Sequence, residues 1–266
     1  MATENSSPPV VAGIDGSPTA MRAVLWAVDE AVWRDTSVQL IYATKPGDRS
    51  APDYAEDVRR GHDCLREART AIEATGKRVH VETSVVDGPA ALALVSASKH
   101  AQMVCVGSLG IGRYARSLLG STAAEVAEKA HCPVAVIRPD LHGSDQGFSW
   151  IVVAVTDRPE NGAVVEHALQ EARLRRAPVL ALGDGQVAGS TEALEQQIRP
   201  WHERYPEVRV YPIANRADVA HFLKKHDEPV LLAVIGSTDA DEVAQIVGHG
   251  HSVLRHGATS ALVVRS

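Results

Sequence analysis

The sequence predicts an α/β protein of two tandem domains, each an open parallel sheet with helices on both faces. Three observations carry this. Short Val/Ile-rich runs without polar alternation are separated by helical patterns, loops bearing glycine or proline punctuate them, and the whole pattern recurs in the second half of the chain. A length of 266 residues is comfortable for two domains of about 130 each.

The elements follow in order. Residues 10–14 (VVAGI) read as a strand buried on both faces. Ser17 and Pro18 read as an N-cap and the first helical position, and Met21, Val24, Leu25, Val28 and Val32 recur at helical spacing as an apolar face. Residues 38–43 give a second strand, and the polar stretch 45–52 a loop. Val58, Leu65, Ala68 and Ile72 predict a second helix, and residues 78–85 a third strand. Gly88 and Pro89 open a third helix running to about Lys99. A fourth strand spans 103–106, a glycine-rich loop follows, and a helix from about Ser121 to Ala130 leads into a strand at 134–137. Right-handed crossovers turn such an order into a doubly wound sheet.

After a polar linker, residues 139–149, the order starts again with a strand at 151–155. Asp157 follows it much as Asp15 follows the first strand, and Glu171-Ala172 echoes Glu30-Ala31. Lys225-His226 echoes Lys99-His100, residues 233–237 (AVIGS) echo 104–108 (VCVGS), and 261–265 (ALVVR) echo 134–138 (VAVIR). The domains are therefore placed at 1–138 and 150–266.

Composition narrows the function. The net charge of -6 argues against a nucleic-acid partner, which calls for a basic stripe. Aromatics make up only 4% of residues, so Ala, Val and Leu must fill the cores. Cys64, Cys105 and Cys132 lie far apart without a CxxC pair, which points to small buried hydrophobes rather than zinc ligands or disulfides. The polar stretch 1–9 has neither a basic start nor an apolar segment, so no signal peptide is expected. No apolar run approaches the roughly 18 residues of a membrane span, and a cytoplasmic protein without membrane contact is the expectation.

One loop carries chemistry. Gly107-Ser108-Leu109-Gly110 is followed by nine residues and then Gly120-Ser121-Thr122, the pattern G-x2-G-x9-G-[S/T]. Its first glycine ends a buried strand and its serine opens a helix. In open parallel sheets ligands bind beyond the carboxyl ends of the strands. There a helix N-terminus offers free N–H groups, and glycines let the backbone approach phosphate oxygens. Arg113 and Arg116 lie in the same loop and could screen phosphate charge. No G-x4-G-K-[S/T] is present, so the chain is not a P-loop NTPase. His249, His251 and His256 lack the partners that a metal site needs and read as a solvated loop. Asp15 reads as a ligand or cap, since no catalytic partner is evident beside it.

The signature, the opening VVAGIDGSPTAMRAVLWAVDEA and the close HCPVAVIRP are similar to the ATP-binding universal stress proteins. The weaker echo extends the likeness over nearly the whole chain, and the whole resembles the tandem form common in actinobacteria. The resemblance implies Rossmann-like domains that bind ATP, with or without magnesium. Gly13 and Asp15 would lie under base and ribose, and Ala43 would offer backbone to adenine. Val106, Gly107, Gly110, Gly120, Ser121 and Thr122 would hold ribose and phosphates. Leu109 departs from the family, where many members carry Arg or His.

The second half departs further. Asp239 stands where the loop's second glycine would be, a carboxylate that would repel phosphate. The returning glycine, Gly248 or Gly250, is off the family's spacing, and His249 replaces the serine. One nucleotide per chain is the expectation. The resemblance implies a stress-response regulator acting on an unidentified protein partner, without significant turnover. The alternatives are a slow ATPase and a ligand-free interaction module with decayed pockets. Single-domain members pair through their final strands, so the two halves here are expected to pair as an intrachain pseudo-dimer through residues 134–137 and 261–264, with homodimerisation left open.

Overall fold

The computed structural model describes residues 7–45, 50–110, 119–138, 149–183, 191–214, 218–226, 228–248 and 259–265. The chain divides near residue 139 into two compact units.

The first unit runs β1 (Val10–Gly13), α1 (Pro18–Trp33), β2 (Val38–Ala43), α2 (Ala51–Ala74), β3 (Val81–Val86), α3 (Ala90–Ala97), β4 (Met103–Gly107), α4 (Ser121–Lys129) and β5 (Val134–Ile137). Its strands are parallel in the order β3-β2-β1-β4-β5. The chain winds outward from β1 to one side and then returns to β4 on the other. The crevice beyond the carboxyl ends of β1 and β4 is therefore the topological switch point, where such sheets hold ligands.

The second unit repeats this with β6 (Trp150–Val155), α5 (Asn161–Arg175), β7 (Val179–Gly183), α6 (Thr191–Arg204), β8 (Val210–Ala214), α7 (Val219–Lys225), β9 (Val230–Gly236), α8 (Val243–Gly248) and β10 (Ser260–Val264). Its parallel order is β8-β7-β6-β9-β10. The outermost strand, β8, carries Pro212, opposite Ala181 of β7.

The strand cores are as apolar as their sequences require. Val10, Val11, Val104, Cys105, Val134 and Val136 of the first sheet are fully buried, as are Ile151, Val152 and Val234 of the second. All three cysteines are free and buried. Helix α1 begins where Ser17 and Pro18 indicate, with the Ser17 hydroxyl accepting from the Ala20 N–H at 3.2 Å. Its buried face differs from the expectation. Ala20, Ala23, Ala27 and Ala31 face the sheet with Val24 and Val28, whereas Val32 is 44% exposed and Met21 and Leu25 are half-buried. Small side chains win because the helix lies close on β4. Helix α2 starts earlier than expected: Ser50 caps it, and Pro52 sits inside its first turn, where a missing N–H costs nothing.

Each unit buries one glutamate at the same place. Glu30 is 1% exposed and accepts from Arg34 Nε and Nη2 at 3.3 and 3.2 Å. Glu171, 2% exposed, accepts from Arg175 Nε at 2.8 Å. Helical i,i+4 spacing makes both pairs local. Among the described residues no helix is long and apolar enough to cross a membrane.

Candidate functional site

A cavity of 550 Å³ opens at the switch point of the first unit. Strand ends form its floor: Gly13 of β1, Ile41 and Ala43 of β2, and Val106 and Gly107 of β4. Asp15 and Ser17 line one side, and Leu109, Gly110, Gly120, Ser121 and Thr122 the other. The residues singled out in the sequence, from Gly13 to Thr122, all line this one cavity. Arg113 and Arg116, the expected cationic screen, lie outside the described residues, as do His249, His251 and His256.

Local bonds shape the cavity. Asp15 turns its carboxylate inward after β1, where Oδ1 accepts from the Ser17 N–H at 2.9 Å. A Cβ on Gly110 would lie 2.6 Å from Asp15 Oδ2, so the two segments touch across the pocket. Gly107 is more constrained still, because a Cβ there would lie 2.8 Å from the Ala20 nitrogen and the Thr19 carbonyl carbon. The Thr19 hydroxyl, buried at the start of α1, donates to the Leu109 carbonyl and ties that helix to the glycine loop. The Gly120 N–H donates to the Ser108 carbonyl at 2.7 Å and closes the loop on itself.

Helix α4 begins at the cavity wall with Gly120 as its N-cap and no side-chain cap. Its first N–H groups and the positive end of its dipole are thus available to an anion. Gly120 has φ near -71°, and a Cβ would meet the Ser108 carbonyl oxygen at 3.4 Å. Its glycine is therefore not demanded by backbone conformation, unlike Gly107, which close packing does demand.

Among the described residues Asp15 is the one charged side chain in the cavity lining. Among the described residues no cluster of three His, Cys, Asp or Glu could hold a metal ion. A magnesium ion here would therefore take most of its ligands from phosphate and water, as that ion usually does. The sequence reading did not find Ser17, Ala20 and Leu94 as lining residues or Thr19 as the tie to the loop, because these depend on contacts between distant segments.

The corresponding cavity of the second unit measures 300 Å³. Strand register pairs Val10 with Val38 and Ile151 with Val179, which makes Thr156, not Asp157, the counterpart of Asp15. Thr156 lines the cavity, whereas Asp157 accepts from Gln197 of α6 at 2.8 Å. Glu160, Asp218, Asp239 and Glu242 line it too, with Arg158 the single cation among the described lining residues. Arg158 lies 3.1 Å from Asp239, so the acid expected to repel phosphate is partly neutralised, yet the described lining residues remain net acidic.

Glu242 records that excess: burial, then Asp218, Asp239 and Asp241, push its carboxyl from the usual 4.5 up to about 7, against Arg158. The fold thus favours the protonated form, so its contribution is present below pH 4.5 and is lost as pH rises through about 7. Glu242→Gln should unfold at a higher temperature than the parent at pH 8 and at the same temperature near pH 4.5. Equal midpoints at pH 8 would mean that the carboxylate is not strained by its neighbours.

An open parallel sheet with a glycine-lined cleft at its switch point defines an α/β protein of the doubly wound class. Comparison with known proteins narrows this. The model of the universal stress protein family matches residues 8–138. Universal stress protein Rv2624c of Mycobacterium tuberculosis is 50% identical over 265 residues, covering 96% of each chain. Universal stress protein Rv3134c of the same organism is 37% identical over 255 residues, covering 92% of this chain and 94% of its own. The crystal structure of a universal stress protein from Archaeoglobus fulgidus shares the fold at TM-score 0.70 and 15% identity, covering 98% of this chain and 97% of that one. The chain belongs to the universal stress protein family.

Proposed function

We propose that the first unit binds ATP and that the protein is a nucleotide-dependent regulator of a stress response, without significant turnover. The observation that carries this reading is the convergence of Gly13, Asp15, Ala43, Val106, Gly107, Gly110, Gly120, Ser121 and Thr122 on one cavity. Its 550 Å³ falls in the size range of small-molecule sites. The uncapped start of α4 would supply donors for phosphate, and Ala43 at the end of β2 lines the same cavity, where its backbone would serve an adenine. Thr122 and Ser121 add hydroxyls at the same helix end. Among the described residues the cavity lining holds no lysine and a single carboxylate, a poor set for phosphoryl transfer, which favours binding over turnover.

The second cavity is smaller, and its described lining residues are net acidic, so it should refuse a triphosphate. Equilibrium dialysis with ATP should therefore give about one nucleotide per chain. Two equivalent sites would overturn the asymmetry. Mass analysis of small molecules released on denaturation should find an adenine nucleotide. Release of nothing, together with no uptake in dialysis, would leave a ligand-free interaction module. Steady ADP formation above the buffer rate would instead favour the slow ATPase.

A further inference from the structure

Another cavity lies at the opposite end of the second unit's sheet, beside the N-terminal ends of β6, β7 and β8. It measures 650 Å³, and Trp150, Arg173, Arg176, Glu207, Arg209 and Tyr211 line it. Arg173 pairs with Glu207 at 2.9 Å on the rim. The guanidinium groups of Arg176 and Arg209 are exposed and have no hydrogen-bond or ion-pair partner among the described residues. The rings of Trp150 and Tyr211 meet edge to face, centroids 5.3 Å apart, and form an apolar wall.

The fold does not require this chemistry, as its own first unit shows. Strand register pairs Val38 with Val81 there and Val179 with Val210 here, while Val10 and Ile151 open the central strands. Counting from those anchors, Arg176 stands where the first unit has Asp35, Arg209 where it has His80, Tyr211 where it has Glu82, and Trp150 where it has Pro9. Asp35 and Arg176 make the same left-handed turn, with φ of 50° and 53°. A short polar aspartate tolerates that conformation; an arginine gains nothing local from it. The first unit thus closes this corner with two carboxylates and a histidine. The second closes it with two unpaired guanidinium groups beside an aromatic pair, in a chain of net charge -6.

We propose that this cavity binds a small organic phosphate monoester with a planar ring. Arg176 and Arg209 hold the phosphate, whose oxygens suit the forked donors of guanidinium. Trp150 and Tyr211 seat the ring, since flat aromatic walls stack or edge-pack against planar groups. The site is separate from the glycine-lined cleft of the first unit and does not depend on nucleotide binding there.

Phenyl phosphate is the probe, titrated into the full chain and followed by amide chemical shifts. Shifts should appear at Trp150 and across 173–179 and 207–211. Arg176→Gln combined with Arg209→Gln should weaken binding about tenfold or more, since charge-assisted bonds are lost. Tyr211→Ala should weaken phenyl phosphate while leaving inorganic phosphate unchanged, which separates ring from head group. Arg176, Arg209 and Tyr211 are all exposed, so these variants should fold as the parent does. Shifts confined to residues 13–20 and 107–123, parent-like affinity of the double arginine variant, or no binding at millimolar probe would each overturn the proposal.

Discussion

Gly107→Ala is expected to lower the thermal unfolding midpoint by about 10 °C, the scale set by a few kcal/mol of overpacking in a unit this size. The added methyl would sit 2.8 Å from the Ala20 nitrogen and the Thr19 carbonyl carbon. Both are backbone atoms in the first turn of α1 and cannot swing away as a side-chain tip can. Either β4 or the helix must move, and the floor of the cavity moves with it. Gly110→Ala makes the useful contrast. Its methyl meets Asp15 Oδ2, the far end of a side chain, so the fold should tolerate it while ATP binding weakens. Gly120→Ala, with an ordinary 3.4 Å contact, should leave the midpoint within about 2 °C of the parent. Scanning calorimetry orders the three. A Gly107→Ala midpoint equal to that of Gly120→Ala would show that α1 and β4 are not packed as closely as described.

Arg34→Met should cost about 3 kcal/mol, because it takes one guanidinium away from the buried Glu30 carboxylate. Glu30 is 1% exposed, so water cannot take over the role of the guanidinium. Adding Glu30→Gln to that variant should recover part of the loss, since a neutral amide has a much smaller desolvation penalty. Urea unfolding of the two variants and the parent gives the comparison. If Arg34→Met unfolds at the parent's midpoint, the pair is not what holds the glutamate in place. Arg175→Met tests the twin pair against Glu171, where the Arg175 side chain is only 10% exposed.

The strands were legible because a sheet covered on both faces leaves no polar alternation. Residues 38–43 and 134–137 are read from the sequence with the bounds that the structure has. The face of α1 was not legible. Hydrophobicity alone ranks Met21, Leu25 and Val32 above alanine, but close approach to β4 favours the smaller side chain. That Gly107, Gly110 and Gly120 come together at one cavity was legible, because a strand end and a helix start fix where such glycines lie. Thr19 was not, because its partner carbonyl at Leu109 lies 90 positions away. Asp157 misled for a different reason. Residue type suggested equivalence with Asp15, while hydrogen-bond register, invisible in one sequence, puts Thr156 there.

Pro212 in β8 bears on what happens around the protein rather than inside it. An outermost strand with a complete row of backbone donors is a template on which unfolded chains can add further strands. Pro212 has no N–H to offer, and it sits in the middle of the five residues of β8. On β3, the corresponding strand of the first unit, Glu82 and Thr83 are exposed. Charge there and the missing donor in β8 both discourage such growth. The outer strands of both units thus give a neighbouring unfolded chain little to build on.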